Sequence, residues 1–125
     1  MARATVLVID DDKHLVEVIQ EYLEAQGYTV FTALDGVHAH SMACTRKPAV
    51  IILDVDMPIT NGLQALEQLR KDPRTKDIPV ILLTGVVSAK VFPAVQNLPR
   101  VSHVKKPVHL EDLASMVRHY IPEDV

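Results

Sequence analysis

The stretch Val50-Ile51-Ile52-Leu53-Asp54-Val55-Asp56-Met57-Pro58-Ile59-Thr60-Asn61-Gly62 decides the fold. It opens as an apolar run without polar alternation, the pattern of a strand buried on both faces of a parallel sheet. It then breaks on carboxylates, a proline and a glycine. Asp54 therefore stands at the carboxyl end of a central strand, the edge where open α/β sheets place their ligands. Pro58 and Gly62 force a turn, so the next helix starts no earlier than about Asn61. On its own Asp54 could equally close the strand and support that turn; the rest of the chain has to decide.

Outward from this stretch, four more apolar runs precede or follow it. Thr5 to Ile9 ends on Asp10-Asp11-Asp12. Helical spacing follows, with Leu15, Val18, Ile19, Tyr22 and Leu23 on one face and Glu17, Gln20, Glu21 and Glu24 outside. Asp12 is the natural N-cap of that helix and Gly27 its C-terminal stop. Tyr28 to Thr32 reads as a second, weakly alternating strand, and Asp35-Gly36 turns the chain into a second helix reaching about Arg46. After the central strand, a third helix runs from about Gly62 to Lys71 on Leu63, Leu66 and Leu69, until Asp72-Pro73 stops it. Val80 to Leu83 is another pure apolar run, ending on Thr84-Gly85.

A proline inside a helix costs about 3 kcal/mol, so Pro93 belongs in the first turn of a short helix within Ser88 to Leu98. Val101 to Val104 is the last strand, and Lys106-Pro107 leads into a last helix on Leu110, Leu113, Val117 and Ile121. Five strands alternating with five helical segments define one α/β domain over residues 1–125, with a doubly wound, mainly parallel sheet and helices on both faces.

Composition narrows the function. A chain of 125 residues with 48% hydrophobic and 23% charged residues is an ordinary globular domain. No apolar run approaches the roughly 20 residues of a membrane-crossing helix, and the N-terminus lacks a signal-peptide core. One cysteine, Cys44, leaves no internal disulfide and suits a reducing, cytoplasmic setting; it reads as packing or surface filler. The net charge of −3 and basic residues that come only in pairs argue against nucleic-acid binding. His38 and His40, two apart, point in different directions on a helix, and the six histidines show no metal spacing, which argues against a zinc site.

The topology gathers separated residues at the carboxyl edge of the sheet. Asp10 and Asp11 follow the first strand, Asp54 ends the third, Thr84 ends the fourth and Lys106 follows the fifth. Three converging carboxylates invite a divalent cation, and Mg²⁺ fits because it binds through a few carboxylates and accepts a phosphate oxygen. A lysine and a hydroxyl beside it can hold phosphoryl oxygens, so the edge reads as a phosphoryl-transfer site.

With Val8-Ile9-Asp10-Asp11, Leu53-Asp54-Val55-Asp56-Met57-Pro58, Asn61-Gly62, Leu83-Thr84-Gly85 and Val104-Lys105-Lys106-Pro107 in order, the sequence resembles the receiver domain of two-component response regulators over nearly its full length. The resemblance implies a flavodoxin-like sheet of order 2-1-3-4-5. It implies that Asp54 is the phosphoacceptor, that Asp10, Asp11 and Asp54 hold magnesium with the backbone carbonyl of Asp56, and that Thr84 and Lys106 contact the phosphoryl group. The donor would be a sensor histidine kinase or phosphotransfer protein, and the reader a downstream effector or output domain; a homodimer on phosphorylation is compatible with this. Such a domain is a signalling switch that promotes only its own phosphorylation and dephosphorylation.

The chain departs from the family at His103, where the last strand usually carries a tyrosine or phenylalanine switch residue, at Gly85, where alanine is common, and over Asn97 to Ser102. His103 is expected to be partly buried and to give a weaker or differently shaped switch. Two other functions compete. Leu53-Asp54-Val55-Asp56 also resembles the nucleophile motif of haloacid-dehalogenase-type phosphohydrolases, but those carry it on the first strand and need more chain for a cap. A receiver fold that binds partners without phosphorylation would not need the complete set of acids, threonine and lysine.

Overall fold

The computed structural model describes residues 4–56, 62–85 and 98–121. The Met57–Asn61 turn and, apart from Leu98, the helix expected over Ser88 to Leu98 lie outside the described residues. The strands are β1 (Thr5–Ile9), β2 (Thr29–Ala33), β3 (Val50–Asp54), β4 (Val80–Thr84) and β5 (Val101–Lys105). Among the described residues the helices are α1 (Lys13–Ala25), α2 (Ala39–Arg46), α3 (Gly62–Lys71) and the last one, α4 (Leu110–Tyr120). The five strands form one parallel sheet in the order β2-β1-β3-β4-β5. Sheet order and strand direction are those expected.

The missing alternation in the apolar runs has a direct cause. Leu7, Ile9, Ile51, Leu53, Val80 and Leu82 face one side, where α2 and α3 supply Ala39, Ala43, Ala65, Leu66 and Leu69. Val6, Val8, Val50, Ile52, Ile81 and Leu83 face the other, against Val16, Ile19 and Leu23 of α1 and Leu113, Ala114 and Val117 of α4. Every residue of β3 and β4 is buried. Each buried aliphatic side chain contributes about 1.5–3 kcal/mol relative to exposure, so the central strands anchor both layers.

Local signals place the helix ends. The Asp12 carboxylate accepts the Leu15 amide at 3.1 Å, capping α1. Gly27 then takes φ +101°, which an L side chain rarely adopts. The Asp72 side chain accepts the Arg74 amide at 2.8 Å, and buried Thr75 donates its hydroxyl to the Leu69 carbonyl at 2.6 Å, tying down the turn after α3.

Several boundaries and faces differ from expectation. β2 begins at Thr29 and ends at Ala33, because pairing with β1 sets its register. On α1, Val16 is fully packed while Leu15 is partly buried, since the helix turns its Val16–Ile19–Leu23 line to the sheet. On α4, Ala114 replaces Leu110 in the closest contact, and Ile121 follows the helix as its C-cap. His103, expected to be partly buried, is exposed, because β5 is an edge strand with no strand beyond it.

Ile52 lies at the centre of the α1/α4 side with no exposed surface. Ile52→Ala is expected to lower unfolding stability by about 2–5 kcal/mol without changing the fold, measured as a lower denaturant midpoint at unchanged slope.

Candidate functional site

The β1–β3 register pairs Ile9 with Leu53, so the next residue of each strand, Asp10 and Asp54, stand side by side at the carboxyl edge. Both are buried, at 0% and 1% exposure. Each is braced by the chain that follows it. Asp10 Oδ1 accepts the Asp12 amide at 2.9 Å, and Asp54 Oδ1 accepts the Asp56 amide at 3.0 Å. Lys106 reaches both from the far side of β4, with Nζ 3.1 Å from Asp10 Oδ2 and 3.4 Å from Asp54 Oδ1. Exposed Asp11 completes an acidic cluster whose carboxylate oxygens, one each from Asp10, Asp11 and Asp54, lie within 4.8 Å of one another.

The electrostatics of this cluster are unbalanced. Burial pushes the Asp10 carboxyl up, opposed by the Asp12 amide and reinforced by the charge of Asp54. Burial pulls the Lys106 ammonium down, but its close pairing with Asp10 and the charges of Asp10 and Asp54 outweigh burial and hold it above its usual value. Asp10 Oδ2 is buried without a hydrogen bond; its approach to Lys106 is an ion pair lacking good hydrogen-bond alignment. An orphaned carboxylate oxygen beside two further carboxylates is a donor set that fits a hard divalent cation such as Mg²⁺.

Thr84 ends β4 between Asp54 and the last strand, 1% exposed. Its hydroxyl donates to the Val104 carbonyl at 3.5 Å, a distance at the weak limit of a hydrogen bond. The backbone behind it is firmer, with the Lys106 amide donating to the Thr84 carbonyl at 2.7 Å. Asp10, Asp11, Asp54, Thr84 and Lys106 are thus brought to one edge as expected. His103 lies apart from them, on an open groove shared with Val104, Asp112, Ser115, Met116 and His119.

Three features escaped the sequence reading. Asp56 contributes its side chain as well as its backbone: Oδ2 accepts the Gly85 amide at 2.7 Å and ties the end of β3 to the end of β4. A Cβ at Gly85 would sit 2.9 Å from that oxygen, so a side chain there would make the Asp56 carboxylate shift. Gly62 does more than turn the chain, because a Cβ there would collide with the Asp54 carbonyl oxygen and lie 2.6 Å from Val55 Cα. Its signal was present as a glycine at a helix start, where no positive φ was needed. Finally, His40 Nε2 lies 2.7 Å from Asp72 Oδ2, and the Cys44 sulfur is 3.7 Å and 3.6 Å from those two atoms. The signal was the four-residue spacing of His40 and Cys44, which puts them on one helix face.

An acidic cluster with a lysine and a threonine thus stands at the carboxyl edge of a parallel sheet ordered β2-β1-β3-β4-β5, which defines the class of flavodoxin-like domains. The sequence matches the response regulator receiver domain over residues 6–118, and the chain belongs to that family. It is 36% identical over 118 residues to the probable transcriptional regulator ycf29 of Porphyra purpurea, covering 94% of this chain and 56% of that one. It is 35% identical over 113 residues to the response regulator MprA of Mycobacterium ulcerans, covering 90% of this chain and 48% of that one. The chain thus spans about half the length of these curated relatives. In structure it is similar to the Vibrio cholerae chemotaxis protein CheY4, with TM-score 0.87 and 28% identity, covering 95% of this chain and 99% of that one. The same fold occurs in the receiver domain of the Pseudomonas aeruginosa sensor histidine kinase PA1611, with TM-score 0.86 and 22% identity, covering 98% of this chain and 100% of that one; that protein holds magnesium in its active-site cleft. Receiver domains of response regulators are signalling domains.

The raised Asp10 carboxyl has a consequence for stability. A carboxyl whose folded value exceeds its unfolded one carries no penalty below the usual 3.8, where both states are protonated. Folding is disfavoured as pH rises through that value to the higher folded one, and the full penalty persists above. Asp10→Asn in excess chelator is therefore expected to raise the thermal midpoint at neutral pH, with the gain vanishing below 3.8. Thermal unfolding at both pH values checks this.

Proposed function

We propose that Asp54 accepts a phosphoryl group from a phosphohistidine on a sensor histidine kinase or phosphotransfer protein. The observation that carries the reading is a buried carboxylate at the end of the central strand, 3.4 Å from a lysine and clustered with two further acids. Asp54 Oδ1 is engaged by the Asp56 amide and Lys106, which leaves Oδ2 as the oxygen without a hydrogen bond among the described residues. Oδ2 attacks phosphorus, the phosphorus–nitrogen bond breaks, and its electron pair returns to the donor imidazole. Asp10, Asp11, Asp54 and the backbone carbonyl of Asp56 would hold Mg²⁺, which supplies positive charge to the phosphoryl oxygens during transfer. Lys106 stays close enough to neutralise charge on the product. Strands β1 and β3 hold the acids in place, so little reorganisation accompanies transfer.

The long Thr84–Val104 contact supports a readout. An aspartyl phosphate adds strong acceptors, and a hydroxyl held at 3.5 Å gives up little on turning to them. Moving Thr84 frees the β5 carbonyl it leaves and opens space beside the last strand, where His103 stands in place of the family's usual aromatic ring. The surface formed by β5 and α4 is the face offered to a downstream effector or output domain; residues 88–97, expected from the sequence to share in it, lie outside the described residues. The phosphoryl group biases these segments only through its differing contacts in the two states. Within this reading the domain spans residues 1–125 and works in the cytoplasm, with no separate small-molecule substrate.

Incubation with a small phosphodonor and magnesium should add one phosphoryl group by intact mass. Asp54→Asn should abolish the adduct while keeping the fold, and Asp11→Ala or excess chelator should remove most of it. Full-stoichiometry labelling of Asp54→Asn, or equal labelling in chelator, would contradict the assignment. Amide NMR of the protein with a phosphoryl mimic and magnesium should show shifts that extend from Asp54 and Thr84 to His103 and α4. Shifts confined to the acidic cluster would contradict the proposed readout.

A further inference from the structure

His40, Cys44 and Asp72 form a second cluster of ligating atoms, outside the phosphoryl-handling site. His40 and Cys44 are one turn apart on α2, so both side chains leave the same face of the helix. Asp72 immediately follows α3, held at the turn by its hydrogen bonds to Arg74. The two helices pack against each other and bring imidazole nitrogen, thiol sulfur and carboxylate oxygen within 4.8 Å. The Asp72 side chain is 13% exposed and that of His40 32%, so the cluster is partly sheltered from water.

We propose that His40 Nε2, Cys44 Sγ and Asp72 Oδ2 form a site for Zn²⁺ or a similar thiolate- and imidazole-preferring divalent cation. A tetrahedral zinc with sulfur at about 2.3 Å and nitrogen or oxygen at about 2.0–2.2 Å sets ligand–ligand edges of about 3.4–3.6 Å. The two edges from sulfur already measure 3.7 Å and 3.6 Å. Only the His40–Asp72 edge, at 2.7 Å, must open, and it is short because a hydrogen bond occupies it. Metal binding replaces that hydrogen bond: the imidazole carries its proton on Nδ1, and Nε2 turns its lone pair to the ion. The thiol loses its proton to solvent, a cost that burial and the Asp72 charge raise by holding Cys44 above its usual value. Two anionic ligands and a neutral imidazole then balance a doubly charged ion, and water takes the fourth position.

Arg74 is compatible with this arrangement. Its Nη2 lies 2.8 Å from Asp72 Oδ2 and its Nε 3.1 Å from Oδ1. The side chain is 67% exposed, so it can swing off Oδ2 while retaining Oδ1. A thiolate ligand selects against Mg²⁺, a hard cation that takes oxygen ligands, which separates this site chemically from the acidic cluster.

The test uses the whole chain with magnesium in excess, so that the acidic cluster is filled. One equivalent of Co²⁺ should give a thiolate-to-cobalt charge-transfer band that Zn²⁺ abolishes by displacement. Cys44→Ser keeps a hydroxyl that can donate to Asp72, so a merely structural hydrogen bond survives in it. It should nonetheless lose the band and bind Zn²⁺ at least tenfold more weakly in a chelator-competition titration. His40→Gln, which also keeps a polar partner for Asp72, should weaken binding to a similar degree. Circular dichroism establishes that each variant is folded. A wild-type protein without the band, or either folded variant binding Zn²⁺ as tightly as the wild type, overturns the site.

Discussion

Two buried carboxylates share one lysine, and the rest of the domain is arranged to make that tolerable. Asp10 and Asp54 end adjacent parallel strands, in a sheet where neighbours lie about 4.8 Å apart. Burying a charge is costly unless it is paired and hydrogen-bonded. Here each carboxylate takes one backbone amide, from Asp12 or Asp56, and both lean on Lys106, just past the end of β5. One ammonium against two carboxylates leaves a net negative charge and one orphaned oxygen, so the site favours whatever adds positive charge or removes a negative one. The order β2-β1-β3-β4-β5 sets β1 beside β3 and puts Thr84 of β4 between Asp54 and the strand that leads into Lys106.

Much of this was legible in the sequence because it rests on short-range rules. Val50–Leu53 and Val80–Leu83 lack alternation, and both faces of the sheet are indeed covered. Asp12 and Gly27 mark the ends of α1 through an amide the carboxylate can accept and a φ only glycine takes easily. The acids at strand ends were readable because parallel topology sends every carboxyl end to one edge. What stayed hidden depends on rotation about helix axes and on three-dimensional approach. Periodicity alone could not choose between Leu15 and Val16 as the residue of α1 closest to the sheet. The Asp56–Gly85 bridge spans 29 residues and the His40–Asp72 contact 32, and no local pattern announces either. The exposure of His103 depends on how neighbouring segments cover the edge strand β5, which the strand's own residues do not announce.

α3 links the two ends of the molecule. Its first residue, Gly62, is packed so closely on the Asp54 carbonyl that no side chain fits, and its last leads directly into Asp72. Ten residues of helix span about 15 Å, which separates the His40–Cys44–Asp72 cluster from the acidic edge while connecting them through one rigid element. The thinner α2, whose closest core contacts are the two alanines Ala39 and Ala43, gains a fixed position from its polar contacts with the turn after α3.

The central claim is that Asp54 carries the phosphoryl group as an acyl phosphate. Borohydride reduces an acyl phosphate to an alcohol, which turns a phosphorylated aspartate into homoserine at that position alone. The phosphorylated protein should therefore be trapped with borohydride, digested and read by peptide mass spectrometry. Homoserine is expected at position 54, dependent on phosphodonor and magnesium. Homoserine at Asp10, Asp11 or Asp56, or an intact Asp54 in protein that carries the phosphoryl mass, would contradict it.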